Sequence, residues 1–270
     1  MSDDPPSPGI LRGETGTQMA NPIGGSRKHL LDLLDSERYP RIFNELLAEV
    51  GAVILLPDER RPIGKGHHKE MEIPVFCREV CPDIQVHEKT KHWWLPRQPG
   101  GRGGKGATWD LLSTVTIGGK RGLLLVEAKA HETELLISGK SLKSFASVQS
   151  KINHEHISNR LTEISESLNR ATDGGFSLSI DTNFQLANRV AWGWKLAESG
   201  VPVVLLYLGF IGDTHFRSDY FRDSDHWQRA MDDYMSGVLP PDLPSRVIQG
   251  KDGGSLAILV KSLPIESAST

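Results

Sequence analysis

The chain has 270 residues, 38% hydrophobic and 24% charged, enough to bury a substantial core in one large globular domain. Its net charge of -3 carries no overall basic signature, so any nucleic-acid contact has to come from a local patch. Cys77 and Cys81 are the two cysteines; a C-x3-C pair without a second pair makes neither a zinc knuckle nor a disulfide framework and fits a reduced, cytoplasmic protein.

Residues 1–27 have no basic segment followed by an apolar run and read as a disordered tail, and no later run approaches a membrane span. From Lys28 to Gly51 the chain is helical in character. Leu30, Leu31, Leu33 and Leu34 mark a first segment. Ser36 is the expected N-cap of a second, with Pro40 in its first turn and Ile42, Phe43, Leu46, Leu47 and Val50 along it. Glu45 and Glu49 lie four apart and share a helix face, ordinarily a solvated one. Residues 52–58, 72–76 and 84–88 are short apolar or alternating runs between Pro, Gly and charge, and read as strands. His67 and His68 sit between Lys65 and Lys69, which repel a cation, so the loop reads as solvated or phosphate-facing.

From Lys89 to Lys105, KTKHWWLPRQPGGRGGK holds Lys89, Lys91, Arg97, Arg102 and Lys105 with no acid, and adds Trp93 and Trp94. Glycine-rich backbone conforms to a phosphate chain, cations neutralise phosphates and tryptophans stack on bases, so this is the candidate nucleic-acid contact. The alternative is a surface loop whose tryptophans dock on the core.

Two apolar runs, 109–117 and 122–130, flank Gly118-Gly119-Lys120-Arg121 and predict a β-hairpin. With Gly119 and Lys120 as a two-residue loop, 118 opposes 121 and paired residue numbers sum to 239. Asp110 then faces Lys129 and lies diagonal to Glu127, at a Cβ separation of roughly 7 Å. Alternation puts all three on one face, and a one-residue slip would turn Asp110 away. The second run is apolar on both faces from Leu123 to Val126, as in a strand covered on both sides. A bare Glu and Lys there need compensation. A hard divalent cation shared by two carboxylates supplies it; so does a Glu–Lys or Asp–Lys ion pair.

His131 and Glu132 follow the strand directly, within reach of the same site. Residues 144–170 predict a long helix with Phe145, Val148, Ile152, Ile157, Leu161, Ile164 and Leu168 on its apolar face. His154 and His156, two apart, do not share a face. After Asp173-Gly174-Gly175, a helix from Asn183 to Glu198 packs through Leu186, Ala187, Val190, Ala191 and Trp194, and VPVVLLYLGFIG reads as a buried strand. A loop and helix around Trp227, Met231, Tyr234 and Met235, a connector with Pro240, Pro241 and Pro244, and a last strand over 255–263 complete the chain.

The order Asp110, a turn, then Glu127-x-Lys129 closing an apolar strand resembles the active-site signature of the PD-(D/E)xK nuclease superfamily. Trp109 stands where many members have proline. The resemblance implies an α/β, restriction-endonuclease-like core, a central mixed sheet flanked by helices in the order α-β-β-β-α-β, filling 28–270 as a single domain with a C-terminal embellishment. It further implies metal-dependent hydrolysis of phosphodiester bonds in nucleic acid, DNA ahead of RNA, with Mg2+ as cofactor and Mn2+ able to substitute. Asp110 and Glu127 would be the metal ligands, joined by Glu49 or Glu45 from the preceding helix, and Lys129 the catalytic lysine. Gln185 resembles an auxiliary glutamine that some branches place near the site. A homodimer would be needed to cut both strands of a palindromic site at once. The alternative is a relative without cleavage that binds nucleic acid or serves as an assembly subunit. No G-x-S-x-G or H-E-x-x-H pattern occurs.

Overall fold

The computed structural model describes residues 24–86, 90, 92–95, 106–214, 217–243 and 246–265. At its centre lies the hairpin of β5 (Leu111–Ile117) and β6 (Lys120–Lys129). Gly118 and Gly119 form its two-residue loop at φ of 56° and 77°. Two successive positive φ angles define a type I′ turn, whose twist matches the flanking strands and which glycine adopts without penalty. The register therefore pairs Ile117 with Lys120 and Leu111 with Val126, so paired numbers sum to 237 rather than 239. The expected pairing of Asp110 with Lys129 is corrected: the ladder ends at Leu111 and Val126, and Asp110 stands just outside it.

β1 (Ala52–Val53) and β2 (Arg60–Arg61) pair antiparallel with β5. β7 (Pro202–Ile211) runs parallel to β6, and β9 (Ser255–Pro264) parallel to β7, with β8 (Val247–Gln249) antiparallel at the edge. The order is β1-β5-β6-β7-β9-β8, a mixed, curled sheet flanked by helices; β3 (Met71–Glu72) and β4 (Thr108–Trp109) form a separate two-stranded ladder. One face of the sheet carries Leu123, Leu125, Val203, Leu205 and Ile258 against α4 (Val148–Ala171), α5 (Phe184–Glu198) and α6 (Ser224–Met235). The other carries Leu124, Val126, Ala128, Val204, Leu206 and Leu208 against α1 (Ser26–Leu34) and α2 (Tyr39–Leu47). Strands covered on both sides explain the unbroken apolar runs of β6 and β7.

Several local expectations change. Ser26 and Arg27, expected in the tail, are the first turn of α1; residues 1–23 lie outside the described residues. Ser36 does not cap α2, whose N-cap is Arg38; its hydroxyl accepts the Arg38 N–H at 3.1 Å. Residues 73–79 are helix α3 (Ile73–Glu79) instead of strand, with Pro74 in the first turn, and 84–86 form a turn. α4 buries Ile157, Leu161, Ile164 and Leu168 as expected, whereas Phe145, Val148 and Ile152 are exposed, because the apolar stripe begins beyond the edge of the core. Cys77 and Cys81 are buried and free.

Candidate active site

Asp110 sits in the break between β4 and β5, where Trp109 has turned into one core and Leu111 into the other. Its Oδ2 accepts the Ala128 N–H at 2.8 Å, which holds the carboxyl beside the residue between Glu127 and Lys129. The other oxygen, Oδ1, takes no hydrogen bond among the described residues. Burial, and then repulsion from Glu127, push the Asp110 carboxyl up to about 7 against the pull of Lys129 and Arg189.

Glu127 is the hub of the cluster and is 2% exposed. Oε1 accepts from Lys129 Nζ at 2.7 Å and from Gln185 Nε2 at 2.9 Å; Oε2 accepts from Arg189 Nε at 2.6 Å. Burial alone would raise this carboxyl, but Arg189 and Lys129 outweigh it and hold Glu127 below the ordinary range. Arg189 completes its fork by donating to the Thr108 carbonyl at 3.0 Å, and its guanidinium lies 4.5 Å from the Trp109 ring centroid. Two carboxylates thus meet two cations, without net charge when Asp110 is ionised.

Gln185 and Arg189 reach Glu127 together because they are four apart on α5 and share a face. The resemblance led to Gln185; Arg189 was missed. Its signal was present: a charge at i+4 from Gln185 inside an otherwise apolar helix face, where a buried arginine needs a carboxylate. Around the hub, Gln185 Oε1 and the hydroxyl of Tyr207 are buried without a hydrogen-bond partner among the described residues. Tyr207 is level with Glu127 on β7.

Other candidates fall elsewhere. Glu49 pairs with Lys261, which is level with Leu208 and Ala128 and so lies on the sheet face opposite Glu127; Glu49 is not part of the cluster. Glu45 pairs with Arg41 at 3.1 Å on an exposed helix face. Glu132 pairs with His226 at 2.9 Å, and His131 Nδ1 meets Thr133 Oγ1 at 2.8 Å. Trp93 and Trp94 are buried: Trp93 meets Trp192 edge-on at 5.1 Å, and Trp94 stacks on Phe184 at 6.4 Å. They anchor a core and are not presented to bases. Lys89, Lys91, Arg97, Arg102 and Lys105 lie outside the described residues.

No family model, curated protein or solved structure matches the chain. The site therefore has to be judged on its own chemistry. Hard carboxylate oxygens suit a hard cation. Asp110 offers Oδ1. A carboxylate has about four acceptor positions, and Glu127 fills three of them with Lys129, Gln185 and Arg189, leaving one. Among the described residues no group of three or more His, Cys, Asp and Glu side chains is placed to hold a metal ion, so any cation here would have Asp110 and Glu127 alone as carboxylate ligands.

Proposed function

We propose that the protein is a metal-dependent nuclease that hydrolyses phosphodiester bonds in DNA, with Mg2+ as its cofactor and Asp110, Glu127 and Lys129 as its catalytic residues. The observation that carries this reading is the single Ala128 hydrogen bond that docks Asp110 at the end of β6, beside Glu127 and Lys129. The succession of elements supports it too: α1 and α2, then β1, β5 and β6, then α5 and a parallel β7.

Asp110 and Glu127 would hold the cation. Bound there, it would polarise the scissile phosphate and lower the pKa of a water. Lys129, fixed by Glu127 at 2.7 Å, would orient that water and offset negative charge developing on the phosphate oxygens. Arg189 and Gln185 are positioning residues: both act on the reaction through the Glu127 carboxylate.

One observation favours a second reading. Glu127 is closed off by two cations and an amide, which is how a buried ion-pair network looks in a protein that binds nucleic acid without cutting it. Incubating full-length protein with plasmid and linear DNA in Mg2+ or Mn2+ separates the two. The nuclease reading expects cleavage that EDTA stops and that Asp110→Ala and Lys129→Ala each abolish. Cleavage by the purified double variant at the wild-type rate rejects the site, and wild-type DNA binding without cleavage in either metal establishes the second reading.

A further inference from the structure

The segment from Leu135 to His154 contains no Asp or Glu but carries Lys140, Lys143 and Lys151. None of the three lysines has an ion-pair partner among the described residues. Phe145 is 101% exposed, and Val148 and Ile152, one turn apart on α4, are 74% and 48% exposed. A fully exposed benzyl ring beside unpaired ammonium groups is a surface in want of a partner. Beside it opens a cleft of about 460 Å3 lined by Lys140, Lys143, Phe145 and His154, within the roughly 300–1,000 Å3 that hold a small ligand.

This surface is held firmly and joins the candidate active site. The Lys140 N–H donates to the Ile180 carbonyl at 2.8 Å, the Asn183 N–H to Ile137 at 2.9 Å, and His154 Nε2 meets the Lys140 carbonyl at 2.8 Å. Lys140 Nζ lies 5.2 Å from the ring centroid of Phe184, and the next residue, Gln185, reaches Glu127. Chain and contacts thus run from Phe145 through Lys140 and Phe184 to the carboxylate hub. Glu155 and Asp181 are exposed and stand outside the acid-free segment.

The geometry points to this surface as the seat of an unpaired DNA strand, with Phe145 stacking on a base and Lys140, Lys143 and Lys151 meeting phosphates. The choice of DNA rests on the nuclease reading; the stacking and the phosphate contacts do not. A duplex keeps its bases stacked on one another and offers none to the ring, whereas every base of a single strand has a face to give. Lys143 and Lys151 flank Phe145 along the chain, as phosphates flank a base along such a strand.

The test is fluorescence anisotropy of full-length protein with labelled oligo(dT) in EDTA, where no cleavage intervenes. Phe145→Ala should weaken binding by about 5-fold or more, from the loss of one base–aromatic stack. Lys143→Ala with Lys151→Ala should flatten the slope of log affinity against log salt by about 0.7 for each phosphate left without its lysine. All three side chains are exposed, and an unchanged thermal melt of each variant shows that the fold is intact. Unaltered oligo(dT) affinity in the triple variant overturns the proposal, as does tighter binding of a duplex of equal length. Tighter binding of oligo(rU) overturns the assignment to DNA. A change of oligomeric state in Phe145→Ala with oligo(dT) affinity unchanged assigns the surface to a second copy of the chain and rejects it as a strand site. Cleavage by the wild type in Mg2+ is scored separately, so a protein that grips oligo(dT) through Phe145 yet cuts nothing keeps this surface and loses the nuclease reading.

Discussion

Arg189 donates its Nε–H to Glu127 Oε2 at 2.6 Å, with both residues buried. Truncating one member of such a pair strands the other's charge. Arg189→Ala should therefore destabilise the protein by about 3–5 kcal/mol, seen as a lower urea midpoint with little change of slope. Full stability of Arg189→Ala would contradict the pairing.

Asp110 and Glu127 give opposite pH responses. Asp110 is lifted to about 7 in the folded protein, against about 3.9 in an unfolded chain. Between those values the native state holds a proton that the unfolded state has lost, so this residue's contribution falls as pH rises from about 4 to about 7 and is level above. Glu127 is held low by Arg189 and Lys129, so its contribution is present above the unfolded carboxylate value and lost as pH falls through the folded one. Asp110→Asn should flatten the decline between about pH 4 and pH 7 in urea titrations. On the nuclease reading, cleavage in Mg2+ should fall on the acid side, because Asp110 has to lose its proton before it can hold the cation.

Gln185 supports Glu127 with one hydrogen bond and leaves its own Oε1 unpaired. Gln185→Ala should lower stability by about 1.5–3 kcal/mol, the net worth of a hydrogen bond to a charged group, and, on the nuclease reading, lower kcat more than it raises KM. Gln185→Glu sets a second carboxylate against Glu127 and should do more damage than alanine. Equal effects of the two substitutions would mean that Gln185 does not face the Glu127 charge.

Gly209 is level with Lys129 on the neighbouring strand, and a Cβ there would lie 2.4 Å from the Trp227 indole. The indole is fully buried and has no room to withdraw. Gly209→Ala should cost about 1–3 kcal/mol through overpacking and disturb Lys129 alongside, lowering activity even where the protein stays folded. A thermal melt with parallel cleavage assays reads both.

The hairpin and the shared face of Glu127 and Lys129 were legible in the sequence even though the hairpin register was not. The turn fell on Gly118-Gly119, which shifts the pairing by two, and an even shift exchanges partners while leaving each side chain on its own side. β7, α5, α6 and β9 were equally legible, because long apolar runs and strong periodicity leave little choice. Residues 72–76 were misread because Ile73, Val75 and Phe76 suit a strand, and the weight of Pro74 as a helix-starting residue was not applied. The tryptophans of the basic segment were ambiguous for a different reason: their fate depended on Trp192 and Phe184, some ninety residues away, and no local pattern encodes that.

The Gly25 N–H reaches Asp213, 188 residues further along, and α1 and α2 close over Ala128, Leu206, Leu208 and Phe210. During synthesis the first two helices emerge long before the strand that seats them. At the usual pace of about 5–20 residues per second, that interval is roughly 10–40 s. Until β5 and β6 emerge, Leu30, Leu34, Phe43 and Leu47 have little beyond one another, Ala52 and Ile54 to lie against, and the seat stays open on its β7 side to the end of that interval.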